Sequence, residues 1–549
     1  YMKWLNEKSR LFLGDYLSPN QTPEERVEEI YKGIETFGSK ELAEKFKVGF
    51  EKGWYLLSSP VWANFGKSRG LPISCFGSYI EDNMDSILDN VAEVGIMTKV
   101  GGGTSGYFGN IRPRGSAIST GGTSDGVISF MRLFDTAVDV CKQAKVRRGV
   151  MGCYLPIDHL DIFDFLKIKH EGSPIQHLFF AVVVKDEWMK EMIAGDEQKR
   201  EVWAAVLKAR TEVGMPYILF YDNVNNNKPQ VYKDLGMDIV ASNVCSEIML
   251  PSSPEESFVC CLSSMNLLHY DEWKDTDAVR VLSFFLDAVL NEFIFKGKNL
   301  KHMQRAIRFS ENHRAIGIGA TGWHSLLQSK NTAFESLYAR SLADEIFRFI
   351  DKESLEASKQ AAKDLGEPPL LKGRGERWTT RISVAPNTSS AFILGQVSQS
   401  IEPYLSNYYI RELAKAKATV KNPWLEKLLE EKGKNNEVVW DSILKYDGSV
   451  QHLDFLTDQE KSVFKTASEI GQREIVVQAA IRQKHIDQGQ SLNLFIPPDT
   501  PTKELNKLHI FAWESGIKSL YYQYSTNAAQ KFLREIKQSE LMGCAVCEG

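Results

Sequence analysis

HLFFAVVV, residues 177–184, is an unbroken apolar run rich in Val and Phe. It reads as a β-strand and falls far short of the roughly 18 apolar residues that suggest a membrane span. Similar β-like runs recur at YILFYD (217–222), RISVAP (381–386), SLNLFIP (491–497) and SLYYQYS (519–525). Between them lie helical patterns. Residues 24–50 carry Val27, Ile30, Tyr31 and Ile34 at helical spacing behind the acidic turn Pro23-Glu24-Glu25, and residues 333–365 and 456–487 read as further long helices. Strands interleaved with helices over roughly 450 residues indicate α/β architecture, and a barrel is the usual way to close so many units.

The 549 residues exceed a single ordinary domain several times over. With 66 basic and 71 acidic residues the net charge is −5, which leaves no electrostatic footprint for polymeric nucleic acid or an anionic membrane. Small anions remain possible, because a few amides and arginines can hold a phosphate locally. The 43% hydrophobic content marks a globular chain. The opening YMKWLNEKSR lacks the apolar core of a signal peptide, so a soluble, cytoplasmic protein is expected.

Eight cysteines, at 75, 141, 153, 245, 260, 261, 544 and 547, are too sparse for a disulfide scaffold. Cys544 and Cys547, in GCAVCEG, have no core to fill, and zinc would need two further ligands nearby. They read as a redox dithiol on a mobile arm. Two glycine patterns are discarded. Gly101, Gly103 and Gly106 match a dinucleotide fingerprint, but an apparent helix rather than a strand precedes them. Gly66-Lys67-Ser68 lacks the first glycine of a phosphate loop, since position 61 is Val.

The chemically informative stretch is SNVCSEIMLP, 242–251. Asn243, Cys245 and Glu247 alternate, so on an extended backbone an amide, a thiol and a carboxylate share one side. Each also has an ordinary reading as turn amide, buried thiol or surface acid, and the triplet alone does not choose between them.

The chain resembles the large (α, catalytic) subunit of class I ribonucleotide reductases from about Leu56 to its C-terminus. The matching segments keep the family order: SSPVW (58–62), ISCFGSYIEDNMDSI (73–87), GGGTSGYFGNIRPRGSAI (101–118), KVRRGVMG (145–152), SNVCSEI (242–248), CCLSSMNL (260–267), RAIGIGATG (314–322), APNTSS (385–390), SLYYQ (519–523) and the terminal CAVC. The resemblance implies a ten-stranded α/β barrel of two five-stranded halves around a central finger loop. That barrel would span 58–525, after an N-terminal helical segment over 1–57 and before a C-terminal helix and flexible redox tail over 526–549.

It also implies roles. Cys245 would become a thiyl radical and abstract the 3′ hydrogen of the substrate ribose, Glu247 would be the general base on the 3′ hydroxyl, and Asn243 would hold the same ribose. Cys75 and Cys260 would be the reductant pair, ending as a disulfide, and the family pattern leaves Cys261 as packing. Cys544 and Cys547 would reset that disulfide with electrons from thioredoxin or glutaredoxin. Tyr521 and Tyr522 would carry the radical from a metal-containing small (β) subunit, so this chain would hold no metal or prosthetic group. They favour class I over the cobalamin-dependent alternative, which makes its radical in place. A third possibility, a catalytically dead nucleotide-binding regulator, would have no use for the three thiols.

Substrate diphosphate would sit at Pro386, Asn387, Thr388, Ser389 and Ser390, before a helix start expected at Ala391. Many relatives carry Ser and Glu where this chain has Pro386 and Asn387. Ser59, Ser74 and Gly103 match other substrate contacts. Asp82 and Arg112 match the site for dNTP or ATP specificity effectors, and Arg147 the loop relaying effector identity. Few residues precede SSPVW, so a form without an N-terminal ATP-cone is expected, forming a homodimer on effector binding.

Overall fold

The apolar run at 177–184 forms a strand over Leu178–Val184, buried along its whole length. The computed structural model describes residues 1–73, 75–142, 149–412 and 417–525. In chain order its strands are β1 (Tyr55–Leu57), β2 (Cys75–Tyr79), β3 (Thr104–Tyr107), β4 (Met151–Pro156), β5 (Leu178–Val184), β6 (Tyr217–Phe220), β7 (Phe258–Asn266), β8 (Ile316–Thr321), β9 (Tyr408–Glu412), β10 (Lys417–Lys421), β11 (Leu494–Phe495), β12 (Ser519–Leu520) and β13 (Gln523–Tyr524).

Two parallel halves build the barrel. In the first, β2 to β6 lie side by side, each parallel to the next. The second starts with β7 parallel to β8. It continues through parallel bridges from Ile318 to Ile382 and from Val384 to Gln490, and ends where β11 pairs with β13 in parallel. The halves meet at two antiparallel seams, β2 against β7 and β12 against β6. A sheet joined at both edges leaves no open row of backbone donors and acceptors. This is the ten-stranded barrel that the resemblance implies.

The covering helices follow from apolar faces and caps. The helix Ala278–Gly297 is mostly buried and packs against β7 and β8 on one side and the helix Leu337–Leu365 on another. Among helices expected from sequence, two are corrected. Residues 24–50 form two helices, Pro23–Phe37 and Lys40–Glu51, because Gly38 ends the first and the Ser39 side chain accepts the Leu42 N–H to start the second. Residues 456–487 likewise divide into Asp458–Val463, a 3-10 turn and Gln472–Gln483, with Thr466 capping the turn. Among the described residues no helix is long and apolar enough to cross a membrane.

The β2–β7 seam demands close approach. Gly77 pairs with Phe258, and a Cβ at 77 would fall 1.9 Å from the Phe258 ring. Gly77→Ala therefore displaces that ring two residues from Cys75 on the same strand, and overpacking of this kind costs about 2 kcal/mol. Urea unfolding of the variant checks this; an unchanged midpoint would contradict it.

Candidate active site

The segment expected to be extended at 243–247 is not. Its backbone turns at Val244–Ser246, with Ser246 at φ 63° and its N–H bonded to Asn243 O at 3.2 Å. The physical reason is that no strand pairs with it. The loop between β6 and β7 runs inside the barrel, where side chains from the wall satisfy its carbonyls. Tyr154 Oη donates to Asn243 O (2.6 Å), Ser491 Oγ to Cys245 O (2.6 Å), Ser519 Oγ to Ser246 O (2.7 Å) and Ser383 Oγ to Glu247 O (2.8 Å). Gly152 lets the wall approach, since a Cβ there would meet Val244 Cα at 3.0 Å.

The turn still brings the three chemical groups together. Asn243 Oδ1 accepts the N–H groups of Glu247 (3.0 Å) and Ile248 (3.2 Å), while its Nδ2 donates to Cys75 Sγ at 3.3 Å. Cys75 stands directly opposite Cys260 across the antiparallel seam. Opposed residues there lie about 4.5–5.5 Å apart at Cα, within the range of about 4.4–6.8 Å that a disulfide spans. Both are thiols in this structure. Cys261, one residue on, turns to the outer side and donates to Leu286 O at 3.3 Å.

Glu247 is sealed in, at 1% exposure. Burial pushes its carboxyl up to about 7, against the pull of hydrogen bonds from Asn243, its own backbone and Ser491, whose Oγ lies 3.0 Å from Oε2. A carboxyl poised near neutrality is suited to accept and return a proton. Burial also pushes the Cys260 thiol well above its ordinary value.

Tyr521 reaches the loop from the second seam, its hydroxyl donating to Cys245 Sγ at 3.5 Å. Its ring lies 4.5 Å from that of Tyr522 and 4.7 Å from that of Tyr217, centroid to centroid. Tyr521 is buried and Tyr522 partly exposed, so the pair runs from the surface toward the loop.

The remaining expected residues divide. Gly103 bridges Cys75 in parallel, and Ser59 starts the helix Ser59–Asn64, its Oγ accepting from Tyr16 at 3.2 Å. The helix expected to start at Ala391 begins within the APNTSS segment, at Thr388, because Asn387 adopts the left-handed conformation at φ 53° and ends the preceding extended chain. The Asn387 carboxamide turns inward, donating to Ser264 Oγ (3.2 Å) and Ala320 O (3.1 Å). Pro386 and Ser390 are buried, and Thr388 and Ser389 half-buried. Asp82 and Arg112 are brought together outside the barrel as an ion pair at 2.8 Å. Ser74, Arg147, Cys544 and Cys547 lie outside the described residues.

Sequence reasoning missed Ser383, Ser491, Ser519, Tyr154 and Gln488. For Ser383 a signal existed, since it interrupts the β-like run RISVAP, whereas Ser491 and Ser519 only open theirs.

The barrel-domain model of ribonucleotide reductase matches residues 73–199, 193–372 and 369–523. The chain belongs to the ribonucleotide reductase family. Among curated relatives it is 37% identical to the putative ribonucleoside-diphosphate reductase large subunit of Frog virus 3, over 93% of each chain. It is 33% identical to the large subunit of Invertebrate iridescent virus 3, over 88% of this chain and 87% of that one. The solved α subunit of the class Id ribonucleotide reductase of Actinobacillus ureae superposes with a TM-score of 0.90 at 52% identity, covering 96% of this chain and 99% of that one. As a ribonucleotide reductase of the large-subunit kind, the chain keeps an amide, an acid and three thiols around the finger loop.

Proposed function

We propose that this chain is the catalytic subunit of a class I enzyme that reduces ribonucleoside diphosphates to 2′-deoxyribonucleoside diphosphates for DNA synthesis. The observation that carries the reading is the Tyr521 hydroxyl on Cys245 Sγ, with Tyr522 behind it toward the surface. A metal-containing small subunit supplies the oxidising equivalent. Within this chain, Tyr522 and Tyr521 pass it to Cys245, whose thiyl takes the 3′ hydrogen. Glu247 takes the 3′ hydroxyl proton, and Asn243 orients the ribose. The dithiol then completes the reduction. Ribose C2′–OH and two thiols become C2′–H, water and a Cys75–Cys260 disulfide, after which the 3′ hydrogen returns from Cys245.

The diphosphate is held by the backbone and hydroxyls of Thr388, Ser389 and Ser390, and Ser59, Ser74 and Gly103 supply further substrate contacts. The Asn387 side chain is already engaged inside the fold. Pro386 shapes the approach to that segment. Specificity effectors bind at Asp82 and Arg112, with Arg147 as relay. Met84 and Leu88, close after Asp82 on the helix Met84–Lys99, are exposed apolar side chains, as are Leu133 and Val140 on the helix Val127–Val140 that packs against it. They suit a homodimer formed around the effector.

The test is nucleoside-diphosphate reduction with and without a radical-generating small subunit. Activity with adenosylcobalamin and no partner would assign the cobalamin-dependent class instead. A Cys544→Ser variant starts with its dithiol reduced, so it gives about one deoxynucleotide per site and then stops. Sustained cycling of that variant with thioredoxin alone would remove the tail cysteines from the scheme.

A further inference from the structure

We propose that Gln488 is a positioning residue for the reductant dithiol: its carboxamide ties the Cys260 sulfur to the finger loop and favours the reduced state of the Cys75–Cys260 pair. The inference rests on the reading of those two cysteines as reductant.

Gln488 is fully buried. Its Oε1 accepts the Met249 N–H at 3.0 Å. Its Nε2 faces three acceptors, Thr380 Oγ1 (3.0 Å), Ile316 O (3.2 Å) and Cys260 Sγ (3.5 Å). The main chain at 488 is held separately. Its N–H reaches Ile382 O at 3.2 Å, its carbonyl accepts Gln483 Nε2 at 2.9 Å, and the preceding Asp487 carboxylate accepts the N–H groups of Arg381 and Ile382. The carboxamide is therefore not what holds its own segment in place.

Its arrangement repeats that of Asn243. Asn243 accepts the amides of Glu247 and Ile248 and donates to Cys75 Sγ; Gln488 accepts the next amide, Met249, and donates to Cys260 Sγ. Three consecutive loop amides are thus held by two carboxamides whose opposite ends touch the two sulfurs. Glu247 supplies the first of those amides.

The chemistry gives the clamp a direction. A thiol sulfur accepts a hydrogen bond weakly and a thiolate strongly, whereas a disulfide sulfur has neither proton nor charge and accepts more weakly still. A donor fixed at Cys260 Sγ therefore favours dithiol over disulfide, and eases the thiolate through which an external dithiol resets the pair. In that reset one disulfide and one external dithiol become two protein thiols and one external disulfide.

The experiment equilibrates the full chain with mixtures of reduced and oxidised dithiothreitol, quenches in acid, and counts alkylated Cys75 and Cys260 peptides by mass spectrometry. Gln488→Met keeps length and apolar volume and removes every donor. It is expected to shift the equilibrium about threefold toward disulfide, the low end for one hydrogen bond because sulfur is a weak acceptor. Thr380→Val, which removes a neighbouring bond to the same carboxamide but not the donor on sulfur, is expected to leave the equilibrium unshifted. If Gln488→Met does not fold, Gln488→Glu keeps the acceptor for Met249. Its departure from wild type is then expected to grow as pH rises and the carboxyl loses its proton. An equilibrium equal to wild type in the position-488 variant, or an equal shift in Thr380→Val, overturns the role of Gln488 alone. A wild-type chain that forms no Cys75–Cys260 disulfide after turnover overturns the dithiol reading and this one with it.

Discussion

Tyr521→Phe is expected to abolish deoxynucleotide formation while leaving the fold and nucleotide binding in place. The ring is buried against Tyr522 and Tyr217 at centroid distances of 4.5 and 4.7 Å, and phenylalanine preserves those contacts. What is lost is the hydroxyl on Cys245 Sγ. Sulfur is a weak acceptor, so the loss costs at most about 1 kcal/mol of stability. Chemically the loss is complete, because phenylalanine is far harder to oxidise than tyrosine and the thiyl cannot be generated through it. Tyr522→Phe is expected to fail in the same way. Tyr217→Phe removes a hydroxyl from the same ring cluster while leaving the Tyr521 hydroxyl on Cys245 in place, and it is expected to turn over. Pre-reduced protein mixed with a radical-generating small subunit, with deoxynucleotide counted in a single burst, measures all three. A normal burst from Tyr521→Phe would falsify the assigned radical route.

The contrast between strand and loop shows what could be read from the sequence. The run at 177–184 is a strand over Leu178–Val184 because its apolar density leaves only a doubly covered sheet position. The run at 217–222 is strand only to Phe220 and then enters the helix Tyr221–Asn226, and 519–525 holds two-residue strands on either side of Tyr521 and Tyr522. RISVAP forms only isolated bridges, although its position in the barrel order is as expected. At 243–247 the same two-residue alternation misled. Period two gives a shared face only where a neighbouring strand holds the chain extended, and here four side-chain hydroxyls replace the neighbour. Local capping also went unseen. Ser39 and Thr466 restart helices inside patterns whose apolar periodicity looks continuous.

The site was legible to a different degree. The loop triplet is local, and so was found from its residues. The opposition of Cys75 and Cys260 is a long-range pairing that no local pattern encodes, and only the family resemblance connected them. Asn387 shows the limit of carrying roles over by position. A polar residue in a substrate-binding segment spends its donor on Ser264 and Ala320 within the fold. Gln488 had no signal at all, because one glutamine beside an acid is unremarkable until its four partners are known.

Glu247→Gln is expected to separate activity from stability in opposite directions. The side chain keeps its shape, and Ser491 Oγ can still donate to the remaining carbonyl oxygen, but the base is gone. Loss of a positioned general base lowers turnover by about 10²–10⁴-fold. For stability, the wild-type carboxyl sits at about 7 in the folded chain against an ordinary 4.5, because burial disfavours its charge. The folded state thus binds the proton more tightly than the unfolded state. Its stabilising contribution is complete below about 4.5 and is lost as pH rises through about 7. Across that window wild type forfeits about 3 kcal/mol that the neutral glutamine does not. The variant's stability relative to wild type should therefore climb between pH 4.5 and 7 and level off above, while wild-type turnover rises through the same range as the base ionises. Urea unfolding of both proteins at pH 5 and pH 8, with turnover followed across neutrality, measures this. A stability difference that does not change with pH would mean that Glu247 is not held near neutrality in the folded chain.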